Sequence, residues 1–158
     1  MATQTKAGWR CVDGHMETTK LLIANGASWN AGQPLHTVSG GLTASASDAV
    51  NFKYLSLTTQ TDPGNATTEA EVGVITSDLK FEANELDATS ASEAWKGGCY
   101  GIDVTSNIAC VDVGETSAIS VQIDDVGYLY EPIKNSASDT YPRVKFHVLQ
   151  LVLDAAGS

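Results

Sequence analysis

The sequence predicts an all-β protein: a single-domain β-sandwich or small β-barrel with an irregular N-terminal arm. Three observations carry this. Apolar and polar residues alternate over strand-length windows, as in Phe52–Thr58, Ala118–Ile123 and Arg143–Leu153. Turn-forming pairs such as Asn25-Gly26, Gly40-Gly41 and Pro63-Gly64 recur at short intervals. No long amphipathic helical pattern and no internal repeat interrupts them.

Residues 1–16 mix charges with Trp9 and Met16 and show no period, so they are expected to form the arm; residues 17–158 form the domain. Thr18–Ala24 is short and apolar. Its β-branched start and the Asn25-Gly26 stop favour a strand over helical turns. Gly32-Gln33-Pro34 marks a turn, Leu35–Val38 a strand, and Ala44–Val50 a loop. Phe52–Thr58 is a strand with Phe52 and Tyr54 on its apolar face. Residues 59–68 (TQTDPGNATT) are dense in turn formers and belong in an exposed loop. Glu71–Thr76 and Leu79–Ala83 are strands about a tight Ser77-Asp78 turn, and Asp87–Ala94 could form a short helix. Tyr100–Val104 and Ile108–Val113 read as a hairpin through Thr105–Asn107. Ala118–Ile123 is a strand, Asp124-Asp125 a turn, Tyr128–Tyr130 a further strand and Lys134–Asp139 a loop. Arg143–Leu153 is expected as one long closing strand.

Charge is unevenly spread. Between Asp62 and Glu131 lie fourteen acids and two bases, Lys80 and Lys96, giving −12; each flank is +1, which sums to the total of −10. Such a chain repels nucleic acid and acidic membranes, so neither is an expected partner. No apolar run approaches the ~20 residues of a membrane span. The opening MATQTKAGWRCVDG lacks an apolar core, so a cleaved export signal is not expected and Asn65-Ala66-Thr67 is taken as a chance sequon. Cys11, Cys99 and Cys110 are odd in number and show no CxxC spacing. Reduced thiols are the expectation, with a Cys99–Cys110 bridge the alternative.

No cluster of catalytic side chains is legible. His15, His36 and His147 lie far apart with no HxH or HExxH, so no metal site is expected. The nucleotide and nucleophile-elbow glycine motifs are missing. Gly97-Gly98 before Cys99 reads as a turn, since Trp95, Lys96 and Tyr100 offer the thiol no base. Asp124-Asp125 and the Asp62/Asn65/Glu69 loop do not match a calcium-loop spacing. No cofactor is implied. His147 alternates with Val144, Phe146 and Val148 and should face away from the core. Trp9, Trp29 and Trp95 could form a sugar platform, plug the core or contact other subunits. Trp9 and Arg10 in the arm, and Trp95 beside Gly97-Gly98, are the candidate contact residues.

The order of features is also informative: Gly32-Gln33-Pro34-Leu35, the Gly40-Gly41 stop, the apolar Tyr54–Leu57 and the Asp62-Pro63-Gly64 loop. Then come Val72, Val74 and Ile75 with Phe81-Glu82, and the step Gly98–Thr105. Over residues 30–130 this pattern resembles the head decoration (cement) proteins and small β-rich structural proteins of tailed bacteriophages. The resemblance implies a small β-barrel (β-tulip-like) domain and a non-enzymatic virion protein, assembled in the host cytoplasm. It would bind the major capsid protein on the outside of an icosahedral head, as a homotrimer, to stabilise the shell. A tail-tube or head–tail connector protein and a carbohydrate-binding β-sandwich are the alternatives.

Overall fold

The computed structural model describes residues 7–39, 41–65, 67–86, 92–126 and 142–156. Within them the alternating segments form eleven strands in two antiparallel sheets, so the all-β reading holds. In chain order the strands are β1 (Arg10–Asp13), β2 (Thr18–Leu22), β3 (Pro34–Val38), β4 (Gly41–Ala44), β5 (Tyr54–Ser56), β6 (Glu69–Val74) and β7 (Lys80–Asn84). They continue with β8 (Cys99–Thr105), β9 (Ile108–Asp112), β10 (Val121–Val126) and β11 (Arg143–Val148), followed by one helix, α1 (Gln150–Ala155). The larger sheet runs β1-β7-β11-β10-β8-β9 and the smaller β2-β6-β5-β3-β4.

Both sheets curl back on themselves, the larger one through its five strands from β7 to β9, with β1 outside the ring. In the smaller, Ile23 bridges Leu42, and the Ala24 N–H donates to the Leu42 carbonyl at 2.9 Å. In the larger, Glu85 bridges Val111, and the Leu86 N–H donates to the Val111 carbonyl at 2.9 Å. Each ring has five strands of alternating direction, so its first and fifth run the same way and both bridges are parallel. Neither seam extends into a ladder, so the architecture is a sandwich of two curled sheets rather than a closed barrel.

The main core lies between the sheets. Phe81 and Ala83, Val144, Phe146 and Val148, Val121 and Ile123, and Ile102 point inward from the larger sheet to meet Phe52, Leu55 and Ile75. This is the period-2 alternation of half-buried strands. A second core, with Ile23, Trp29, Leu35, Leu42 and Val72, fills the curl of the smaller sheet.

Four expectations need correction. First, the chain from residue 7 is not a detached arm. Strand β1 pairs with β7, Arg10 opposite Glu82, and Trp9 is 4% exposed between the sheets. The Trp9 N–H donates to the Gly32 carbonyl at 2.8 Å. Gly32 has φ +80, and a Cβ there would sit 2.7 Å from the Trp9 backbone, so only glycine allows this approach. Second, Gly41–Ala44 is a strand, with Leu42 fully buried. Third, Arg143–Leu153 splits after Val148. A helical turn then lets both Val152 and Leu153 reach the core, which a strand could not do with adjacent residues. Fourth, Asp124 and Asp125 lie inside β10 at a bulge rather than in a turn.

The hairpin is as expected. It turns on Ser106 and Asn107, φ +52 and +62, the left-handed pair that two-residue hairpin loops require. Its register pairs Cys110 with Asp103, four residues from Cys99. That offset is about 13 Å along the strand, too far for a bridge, and neither cysteine is in a disulfide. Only the end of the Asp87–Ala94 segment is described: Ser92 caps a single 3-10 turn, Glu93–Trp95. The expected Tyr128–Tyr130 strand and Lys134–Asp139 loop lie outside the described residues.

Candidate functional site

The side of β7, β11 and β10 opposite the main core concentrates the charged side chains. On β11 the inward residues are Val144, Phe146 and Val148; Arg143, Lys145 and His147 take the other face, as expected for His147. Register then sets their neighbours. Glu82 lies between Arg10 of β1 and Lys145 of β11, and Lys145 pairs with Asp125 of β10. Lys96, from the turn after Trp95, reaches Asp125 at 3.2 Å and Glu93 at 2.7 Å. Charge alternates along the whole row: Arg10, Glu82, Lys145, Asp125, Lys96, Glu93. Opposite charges directly across a ladder stabilise the pairing, and like charges would oppose it.

A second row is made by the bulge. The register of β10 against β11 shifts between Ile123 and Asp125, which leaves Asp124 as the extra residue. Its carboxylate meets His147 Nδ1 at 2.9 Å and Lys80 Nζ at 3.2 Å. Lys80 Nζ also lies 3.4 Å from the same ring nitrogen. A ring nitrogen that close to a carboxylate carries a proton, so Nδ1–H donates to Asp124 and Lys80 closes on Asp124 rather than on the ring. In that tautomer of the ring the lone pair lies on Nε2.

Deeper on this face is a buried ion pair. The Arg143 Nε–H donates to the Glu82 carboxylate, one Nη donates to Asn84 Oδ1 at 2.8 Å, and the other to the Glu82 carbonyl at 3.2 Å. Asn84 Oδ1 also accepts from the Ala7 N–H at 2.8 Å. Arg143, Glu82 and Asn84 are all at or below 1% exposure. Burial lowers the Arg143 guanidinium's affinity for its proton, and the charge of Glu82 opposes that shift. Elsewhere on the row, the Val126 N–H, then Lys96, hold the Asp125 carboxyl below its usual range, while Glu93 and Asp125 raise Lys96.

The three expected contact residues do not converge. Trp9 is a core plug, a correction that its 4% exposure forces. Arg10 is exposed at the head of the ionic row, and Trp95 is half-buried against the main core where that row ends. Trp29, at 2% exposure, fills the smaller core, so neither Trp9 nor Trp29 can offer a face to a sugar. Cys99 shares the face of His147 but stands two strands away, with Gln122 paired to each. Two strand spacings separate their Cα atoms by about 10 Å, beyond a thiol–imidazole hydrogen bond.

Two of the oxygens weighed for calcium already accept hydrogen bonds. Asp62 Oδ1 accepts the N–H groups of Gly26 and Gly64, both at 2.9 Å, and Asn65 Oδ1 accepts from Thr67 and Thr68. Among the described residues no three His, Cys, Asp or Glu side chains gather as a metal site. No described helix is long and apolar enough to cross a membrane. A cleft of about 450 Å³ opens between Lys53, the Val74–Ser77 segment and the outer side of α1 at Gln150 and Asp154.

The sequence reading counted Lys80 and Lys96 only as charges, read Asp125 as a turn residue and gave Lys145 no role. The signal for Lys145 was present in the alternation of β11; the partners on β10 were hidden by the bulge. Compared with family models, with curated proteins and with solved structures, the chain matches none.

Proposed function

We propose that this chain is a non-enzymatic virion structural protein that decorates the outside of a phage head and stabilises the shell. The observation that carries the reading is the segregation of charge. Five of the nine bases, Arg10, Lys80, Lys96, Arg143 and Lys145, share one sheet face with acids that compensate them. Asp62, Glu69, Glu71 and Asp78 are left exposed, on turns and on strand β6. A rigid two-sheet body with a self-compensated plate and an acidic, solvated remainder suits a subunit that lies on a surface and faces water. The exposed apolar side chains Leu22 and Val38, each at 46% exposure, supply surface for contact with sister subunits.

The alternatives draw less support. The long strand on which a tail-tube ring leaned ends at Val148. A sugar platform would have to do without Trp9 and Trp29.

The test is binding to undecorated capsid shells in co-sedimentation, with the oligomeric state measured by light scattering. The expected result is shell-dependent pelleting at a fixed stoichiometry and a homotrimer, free or on the shell. A protein that stays monomeric and never pellets with shells overturns the proposal.

A further inference from the structure

Asn25 and Gly26 are the two central residues of a turn closed by the Ala27 N–H donating to the Ala24 carbonyl at 3.0 Å. Gly26 has φ +91, which the third position of such a turn requires, and no atom lies within 4 Å of where its Cβ would stand. Both residues are exposed. An asparagine followed by glycine can react with its own backbone. The Gly26 nitrogen attacks Asn25 Cγ, the Cγ–Nδ2 bond breaks, and the amide leaves as ammonia, taking the proton shed by Gly26. Water then opens the five-membered imide at either carbonyl, leaving aspartate or iso-aspartate. The step needs no oxidant and no partner. Glycine permits it because no side chain shields the attacking nitrogen.

A feature of this fold opposes the reaction. The Gly26 N–H donates to Asp62 Oδ1 at 2.9 Å, across from the neighbouring loop. The nitrogen attacks only after it loses that proton. A carboxylate that holds the proton favours the N–H form, and it disfavours a second negative charge beside it. We propose that Asn25–Gly26 is a self-modification site and that Asp62 is its guard, setting how slowly the folded protein converts. Conversion places a new carboxylate next to Asp62, and in the iso form it adds a methylene to the backbone of the turn. Ala24, Ala27 and Trp29, on either side, are buried in the smaller core, so a product turn loosens that core first.

The experiment incubates the native protein, Asp62→Ala and Asp62→Asn at neutral pH, with urea-unfolded samples alongside. Peptide mass spectrometry follows conversion at Asn25, and circular dichroism checks that each variant is folded. The expected result is conversion about tenfold faster in folded Asp62→Ala than in the folded native chain, the rate equivalent of losing one hydrogen bond to a charged group. Unfolded samples of all three convert at one common rate. Asp62→Asn, which keeps an acceptor oxygen but loses the charge, falls between, and it serves as the comparison if the alanine variant does not fold. Equal rates for the folded native chain and a folded Asp62 variant overturn the proposal. So does a folded native chain that converts as fast as the unfolded one.

Discussion

The indole of Trp9 meets the ring of Phe146 edge-on, with centroids 4.7 Å apart, which joins the start of the described chain to its last strand. Phe52 and Phe81 complete the cluster at 5.7 and 5.8 Å from the same indole. Trp9→Ala is expected to cost about 3–5 kcal/mol, the range for deleting a buried aromatic ring. Urea denaturation measures it; a loss under about 1 kcal/mol would mean that the indole is not a core residue. Deleting residues 1–16 should then abolish the cooperative transition rather than free a folded body from an appendage.

Ser56 tests a polar element of the fold. Its Oγ accepts from the Gln33 N–H at 2.9 Å and donates to the Asn30 carbonyl at 2.6 Å, at 1% exposure. Ser56→Ala strands two backbone groups that water cannot easily reach. The expected loss is about 1–3 kcal/mol, with little change in the dependence of stability on urea. Ser56→Thr, which keeps the hydroxyl, should lose less.

The buried pair predicts an asymmetry. Arg143→Leu strips the buried Glu82 carboxylate of its guanidinium hydrogen bond, at a cost of about 3–5 kcal/mol. Adding Glu82→Leu should recover part of that loss, because the doubly apolar pair leaves no stranded charge. Thermal melts of the single and double variants decide it, and a double variant less stable than Arg143→Leu alone would show that the pair is not coupled as described.

Acid should weaken the protein through two groups. Burial lowers the pKa of His36, whose Nδ1 sits 3.2 Å from Ser45 Oγ. The unfolded chain therefore takes up a proton that the folded one resists. Stability from this group is complete above the ordinary histidine value of ~6.5 and declines as pH falls through it. His36→Gln should flatten that part of the profile. Asp125 has a depressed pKa in the fold, so its contribution is present above the ordinary aspartate value of ~3.9 and is lost as pH falls through the folded value. Half its side chain is exposed, so that effect is small. Urea midpoints across pH, for each variant against the parent, separate the two limbs.

Much of the fold was legible because burial on one face of a strand imposes period 2. Val144, Phe146 and Val148 showed it, as did the hairpin from Tyr100 to Val113. The failures share a physical cause, which is that the same local pattern fits two structures. The residues Leu149 to Leu153 are almost all apolar, and such a run does not distinguish a strand from a helical turn. Strand β1 is four residues long with a charge at each end, so only Cys11 and Val12 lie between them, too few to show a period. Asp124-Asp125 has turn composition, yet a bulge places both carboxylates on one face, where Lys80, His147 and Lys96 receive them. The ionic row was illegible for a further reason: it runs perpendicular to the chain, and its members lie up to 135 positions apart, from Arg10 to Lys145.

Strand β7 is flanked by β1 on one side and β11 on the other, and it runs antiparallel to both. The two flanking strands therefore point the same way. If the body is pulled at Arg10 and at Val148, the force enters at the start of β1 and leaves at the end of β11, in opposite senses along the strand axis. The hydrogen bonds of both ladders must then slide together rather than open one at a time from an end. Rupture would require many bonds to fail at once, so the ladder through β7 gives this small body mechanical toughness along the axis of these three strands.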